Sequence, residues 1–120
     1  MSEASFAQKR QYYRLKYPKR ARPVVRVQGD LYHVSEVSEK GIRVVVNQSS
    51  SFHQGFQLRG ILDLHDESQV QIEGAILRLD NNEIIVQLTR GPSFKDMVQE
   101  QRHIRNKCPT YFAKLREYAA

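Results

Sequence analysis

Between Arg22 and Thr89 apolar and polar side chains alternate with a period of two. Val25 and Val27 alternate with Arg26 and Gln28, and Ile42 and Val44 flank Arg43. Phe56, Leu58, Gly60, Leu62 and Leu64 share one parity, with Gln57, Arg59 and Asp63 between them. A two-residue repeat sends successive side chains to opposite faces of a strand. The pattern therefore predicts six half-buried strands over 22–28, 31–37, 41–47, 56–64, 69–80 and 83–89. In the fifth, Val70 and Ile72 hold one parity and Leu77 and Leu79 the other, which predicts a bulge or bend at Gly74. The turn at Asp80–Asn82 leads into Ile84, Val86 and Leu88. Short half-apolar strands at close spacing predict an all-β fold, an antiparallel barrel or sandwich with one wet face.

After Gly91–Pro92 the period lengthens. Ser93 stands three residues before Asp96, as a capping box requires, and Phe94, Met97, Val98, Gln101 and Ile104 recur at helical spacing. Pro109 is expected to end this helix, and Thr110 to cap a short second one carrying Phe112, Leu115 and Ala119. A helix with a single apolar stripe covers either an open barrel end or a partner, and the barrel end is expected here. The chain thus divides into a flexible basic arm over 1–21, a β-barrel over 22–90 and a helical segment over 91–120. Asn47–Gly55 reads as a polar loop with Phe52 as its one bulky apolar residue.

Charge changes the picture. The 120 residues form one domain's worth of chain with a net charge of +6, which favours anionic partners. The excess is local: Gln8–Arg26 holds eight of the nineteen basic residues (Lys9, Arg10, Arg14, Lys16, Lys19, Arg20, Arg22 and Arg26) and no Asp or Glu. Like charges repel and resist burial, so this run is either a solvated tail or a site for an anion, mobile until one binds. The single Cys108 allows no internal disulfide and fits a reducing compartment. The opening segment lacks the apolar stretch of a secretory signal, and no run reaches the ~18 apolar residues of a membrane helix. A cytoplasmic chain is expected.

Several chemistries lack support. His33, His53, His65 and His103 lie far apart in sequence, without a neighbour at metal-ligand spacing. There is no Gly-x-Ser-x-Gly elbow, no Walker loop and no Gly-x-Gly-x-x-Gly. A non-enzyme without metal or cofactor is expected. The basic run remains. Arginine offers a planar fork and a stacking face suited to phosphate and to the O6/N7 edge of guanine. Arg10 and Arg14 are four apart, a spacing that Arg22 and Arg26 repeat. Farther on, the strand carrying Tyr32 and Val34 runs into Glu36-Val37-Ser38-Glu39-Lys40-Gly41. Glu36 and Ser38 would set an acceptor and a hydroxyl on one rim, with Gly41 turning the corner at positive φ. Taken alone, this is either an ordinary turn or part of a site.

Together the two elements resemble a PilZ domain, the bacterial module that senses cyclic di-GMP. That family carries Arg-x-x-x-Arg in an N-terminal arm, matched by Arg10 and Arg14, and Asp/Asn-x-Ser-x-x-Gly at a strand junction, matched by Glu36, Ser38 and Gly41. The resemblance runs from about Lys9 to Ile104 and departs at Glu36, one methylene longer than the preferred Asp. It implies a six-stranded antiparallel barrel with a C-terminal helix and a non-catalytic receptor for cyclic di-GMP. Arg10 and Arg14 would fold over the ligand onto phosphate and guanine, Glu36 and Ser38 would position guanine groups, Gly41 would shape the corner, and Lys9 would add charge. Ligand binding would order the arm and switch a surface that meets an unidentified downstream protein. Two alternatives stand beside this: a degenerate PilZ module that binds only protein, and a barrel that binds nucleic acid, with Tyr12, Tyr13 and Tyr17 stacking on bases. Whether Arg20, Arg22 or Arg26 contributes, how many ligands bind and the oligomeric state stay open at this level.

Overall fold

A computed structural model describes residues 12–46, 52–65 and 67–110. Seven strands, β1 (Leu15–Lys16), β2 (Val24–Val27), β3 (Asp30–Val37), β4 (Gly41–Val45), β5 (Gln57–Asp63), β6 (Gln69–Asp80) and β7 (Glu83–Arg90), precede helix α1 (Phe94–Lys107). Six of them close an antiparallel barrel in the order β3-β2-β5-β6-β7-β4, with β4 returning to pair with β3. These are the six strands the alternation predicts, with no end moved by more than two residues. The barrel interior is filled by one parity of each strand, including Val25, Val34, Ile42, Leu62, Ile72, Ile84 and Val86, all nearly inaccessible. Burying each such side chain contributes about 1.5–3 kcal/mol relative to leaving it in water.

The β2–β3 hairpin turns on Gln28 and Gly29, both at positive φ (53° and 85°). Two such residues twist the turn in the sense that right-handed strands require. Strand β2 pairs with the first half of β3 only, from Asp30 to His33. Pro23, which has no N–H to donate, lies just before it. On the N-terminal side of Pro23 the chain makes a short 3₁₀ turn at Lys19–Ala21, and β1 takes the same edge of β3 at Glu36 and Val37. Strand β1 is not evident from alternation because it is two residues long. It anchors the basic segment all the same: Leu15 and Tyr17 are part of the core.

Strand β6 corrects the predicted phase slip. Its buried parity runs unbroken through Ile72, Gly74 and Ile76. An irregularity does fall at Gly74, but the extra residue is Thr89 on β7, between Leu88 opposite Gly74 and Arg90 opposite Glu73. The slip in β6 comes three residues later. Ile76 pairs with Val86 and Arg78 with Ile85, leaving Leu77 as the bulged residue. Leu77 and Leu79 are therefore exposed, at 45% and 42%, rather than turned inward.

Helix α1 begins with the predicted capping box. Asp96 N–H donates to Ser93 Oγ at 3.1 Å, and Ser93 N–H donates to Asp96 Oδ2 at 2.9 Å. Met97 and Ile104 bring its apolar face into the core. Phe94, assigned to that stripe by spacing, is instead 70% exposed. Phe52 is buried and meets Tyr32 edge-on at 5.8 Å. The expected second helix beyond Thr110 falls outside the described residues, as do Lys9 and Arg10.

Candidate functional site

Arg14 stands immediately before β1, and the pairing of Lys16 with Glu36 brings it to the end of β3. Arg14, Glu36, Ser38 and Gly41 all line one surface cavity of about 440 Å³, which extends across β4 and β7 to β6. Four predicted site residues thus meet in one place. Arg10 and Lys9 lie outside the described residues, and Arg20, Arg22 and Arg26 do not line this cavity. Arg26 is on another face of the barrel, donating to Asp63 at 3.0 Å.

Arg14 Nε is 3.9 Å from Glu36 Oε2, and the two side chains are 49% and 14% exposed. That separation is too long for a hydrogen bond, and a half-exposed pair is screened by water, so the contact is weak and open to exchange. Glu36 is nevertheless held on a strand, with its carboxylate largely withdrawn from solvent.

Ser38 serves the turn. Its N–H donates to the Gly41 carbonyl at 2.8 Å, while its hydroxyl donates to the same carbonyl and accepts from Lys40 N–H, both at 3.3 Å. With both hydroxyl roles in use and the residue buried, Ser38 fixes the backbone between Glu36 and Gly41. Gly41 does not take the predicted positive φ; the glycines that do are Gly29 and Gly55. What distinguishes Gly41 is closeness instead, since a Cβ there would lie 3.3 Å from the Val86 carbonyl oxygen, a tight contact.

Further lining residues lie at positions that the motif does not specify. Arg43 is clamped by two carboxylates, with Nε donating to Glu83 Oε1 and Nη2 to Asp80 Oδ2, both at 2.8 Å. Burial pulls its pKa down, but the bonds to Asp80 and Glu83 outweigh this and raise it. Glu83 is braced in turn by Ser35 Oγ at 3.0 Å. Lys40 Nζ lies 6.0 Å from the centroid of the Tyr12 ring. Arg78 and Gln87 complete the wall from β6 and β7. Lys40 sits inside the recognised motif and was within reach of sequence reasoning. Arg78 was not, because alternation hides a bulge.

A second polar cluster lies in the interior. Glu100 of α1, 2% exposed, accepts from Tyr17 Oη at 2.7 Å and from His65 N–H at 3.0 Å, and its Oε2 is 2.6 Å from His65 Nδ1. The His65 and His103 rings stack at 4.5 Å, so two histidines that are distant in sequence meet. Among the described residues no group of three or more His, Cys, Asp or Glu is arranged to hold a metal, and no helix is long and apolar enough to cross a membrane.

Comparison with known proteins agrees with this fold. The model of the PilZ domain matches residues 8–108. The inhibitor of motility of Bacillus subtilis (MotI/DgrA) is similar in structure, with a TM-score of 0.64 and 25% identity over 83% of this chain. This chain spans about half of that protein, 52% of its length. The PilZ domain of YcgR from Escherichia coli, solved with c-di-GMP, is similar over 93% of this chain and 98% of its own, with a TM-score of 0.60 and 13% identity. No curated protein matches the sequence.

Proposed function

Because the chain belongs to the PilZ domain family, we propose that it is a non-catalytic receptor for cyclic di-GMP, which bridges the N-terminal arm and the β3–β4 rim. One observation carries this reading: Arg14 reaches the same cavity as Glu36, Ser38 and Gly41. The related domain of YcgR was solved with c-di-GMP, and the chemistry of this cavity suits that ligand.

Cyclic di-GMP presents two phosphodiester charges and two guanines. Arg14, with Arg10 ahead of it, supplies guanidinium groups for a phosphate or a guanine O6/N7 edge. Lys9 adds charge beside them. Glu36 accepts from the guanine N1–H and N2–H donors, exchanging its weak contact with Arg14 for bonds to the base. Ser38 and Gly41 hold the rim in the shape that lets the base approach. Each charge-assisted bond contributes about 1.5–3 kcal/mol, and three or four of them support affinity near about 1 μM after ordering costs.

Binding is also the switch. Because β1 already fixes Leu15 and Tyr17, the switch concerns the basic residues ahead of β1: without an anion their like charges repel one another, and a dianion held between Arg10, Arg14 and the barrel removes that repulsion and draws them onto the rim. The surface so formed meets a downstream protein. The burial of Tyr17 weighs against the nucleic-acid alternative, which needs that ring on the outside.

Isothermal titration with cyclic di-GMP, against GMP and cyclic di-AMP, tests the reading. The wild type should bind cyclic di-GMP selectively, and Arg14→Ala should lose at least about tenfold, equivalent to about 1.4 kcal/mol. Absence of heat at high micromolar ligand would overturn the proposal.

A further inference from the structure

The cavity's cations are not equivalent. Arg14 has Glu36 at 3.9 Å, Arg43 is held by Asp80 and Glu83 at 2.8 Å, and Lys40 lies over the Tyr12 ring at 6.0 Å. Arg78, on the opposite wall, has a side chain that makes no hydrogen bond or ion pair among the described residues. It owes its position to the bulge in β6, where Leu77 and Arg78 together oppose Ile85. In a regular strand these neighbours would face opposite sides of the sheet. Here both line the cavity, and Leu77 keeps 45% of its surface in water. Arg78 is solvated and free to pair, while the exposed Leu77 beside it gains nothing from its contact with water. The two together suit a flat, anionic ligand, with an apolar floor under the ring and a fork for its polar edge or its phosphate. Bulges commonly re-aim side chains in this way beside binding sites.

Resting on the receptor reading above, we propose that Leu77 and Arg78 form a second anchor that makes the site selective for a cyclic dinucleotide over a single guanine nucleotide. The strand order sets the span. From Glu36 on β3 across β4 and β7 to Arg78 on β6 there are three strand spacings, or about 14 Å. A mononucleotide carries one base and one phosphate group and engages one pole at a time. A cyclic dinucleotide carries a base at each end and two phosphates between, and it engages Arg14 and Glu36 at one pole while Leu77 and Arg78 receive the other. Arg43, already neutralised by two carboxylates, cannot substitute as the far anchor.

The test is calorimetric titration of the full chain with cyclic di-GMP, and with GMP by competition. Wild type is compared with Arg78→Ala, Arg78→Lys, Arg14→Ala and Arg102→Ala, which removes an equal charge from the exposed face of α1 away from the cavity. Arg78→Ala should weaken cyclic di-GMP about tenfold while changing GMP less than about twofold, so that selectivity shrinks. Arg78→Lys should recover only part of the loss, since an ammonium lacks the planar fork. Thermal melting should be unaffected, which separates a binding role from a structural one. If Arg78→Ala behaves like Arg102→Ala while Arg14→Ala abolishes binding, the second anchor is wrong and the receptor reading stands. If Arg78→Ala weakens both nucleotides equally, the selectivity claim is wrong. If the wild type binds neither nucleotide, both proposals fall.

Discussion

Tyr17 and Glu100, 83 positions apart in sequence, are joined in the protein interior by a 2.7 Å hydrogen bond that the phenol donates to the carboxylate. Tyr17 lies three residues after Arg14, in the segment that β1 pins to β3, and Glu100 lies in the middle of α1. The bond therefore ties the segment that follows Arg14 to α1, with His65 completing the carboxylate's partners.

Removing the acceptor should cost more than removing one donor. Glu100→Ala strands the Tyr17 hydroxyl and the His65 N–H without partners in a dry setting, at about 1–3 kcal/mol each. We expect a total loss of at least about 3 kcal/mol in urea unfolding, against about 1 kcal/mol for Tyr17→Phe, which leaves Glu100 bonded to His65. Equal losses would contradict the idea that this carboxylate is the hub.

The same contact makes stability sensitive to alkali. Burial, reinforced by the Glu100 charge, holds the Tyr17 hydroxyl well above its ordinary value of 10.0. In the unfolded chain the phenol ionises near pH 10, while in the folded chain it stays protonated, so above that pH the folded state binds more protons. Stability from this group is complete below about pH 10 and falls as pH rises further, by at most about 1.4 kcal/mol per unit. Urea midpoints at pH 9, 10 and 11 should show this decline in the wild type and a smaller one in Tyr17→Phe.

Gly74 should not tolerate a side chain. A Cβ there would collide with the Gln87 carbonyl group, both of whose heavy atoms are backbone. Gly74→Ala must push β6 and β7 apart, and we expect a loss of about 3 kcal/mol, in the range of overpacked cores. Gly29→Ala meets no neighbour but sits at φ 85°, so about 1 kcal/mol is expected there. Differential melting of the two variants checks the order.

Glu36 is the one departure from the family motif, and its carboxylate is on the cavity wall. Glu36→Asp should bind cyclic di-GMP at least as tightly as wild type, because the shorter side chain restores the preferred placement. Glu36→Ala should weaken binding about tenfold by leaving the guanine donors without an acceptor. A competition assay against a labelled ligand ranks the three, and weaker binding by Glu36→Asp would show that the longer side chain is itself adapted to this site.

Much of this protein can be read from residues near one another in the chain. Alternation announced all six barrel strands, because burial on one face acts on every second side chain wherever the strand eventually lies. The Ser93–Asp96 box announced the start of α1, since its partners are three residues apart. The order and spacing of Arg10, Arg14, Glu36, Ser38 and Gly41 pointed to one family. The fold then brought Arg14 to the rim formed by Glu36, Ser38 and Gly41 through a two-residue strand too short to leave a pattern.

Other features depend on which strand lies opposite which, and that is a matter of register between distant segments. Leu77 and Leu79 look like core residues until the pairing of Arg78 with Ile85 leaves Leu77 bulged, so the face of β6 was decided by β7. Glu100 looks like a surface position on a polar helix until Tyr17 and His65 converge on it. Gly41 resembles a turn glycine, yet its constraint comes from the Val86 carbonyl on another strand. Periodicity reports the solvent exposure that a strand or helix will have on average, whereas a bulge, a buried bond or a close backbone approach exists only once two remote stretches have met.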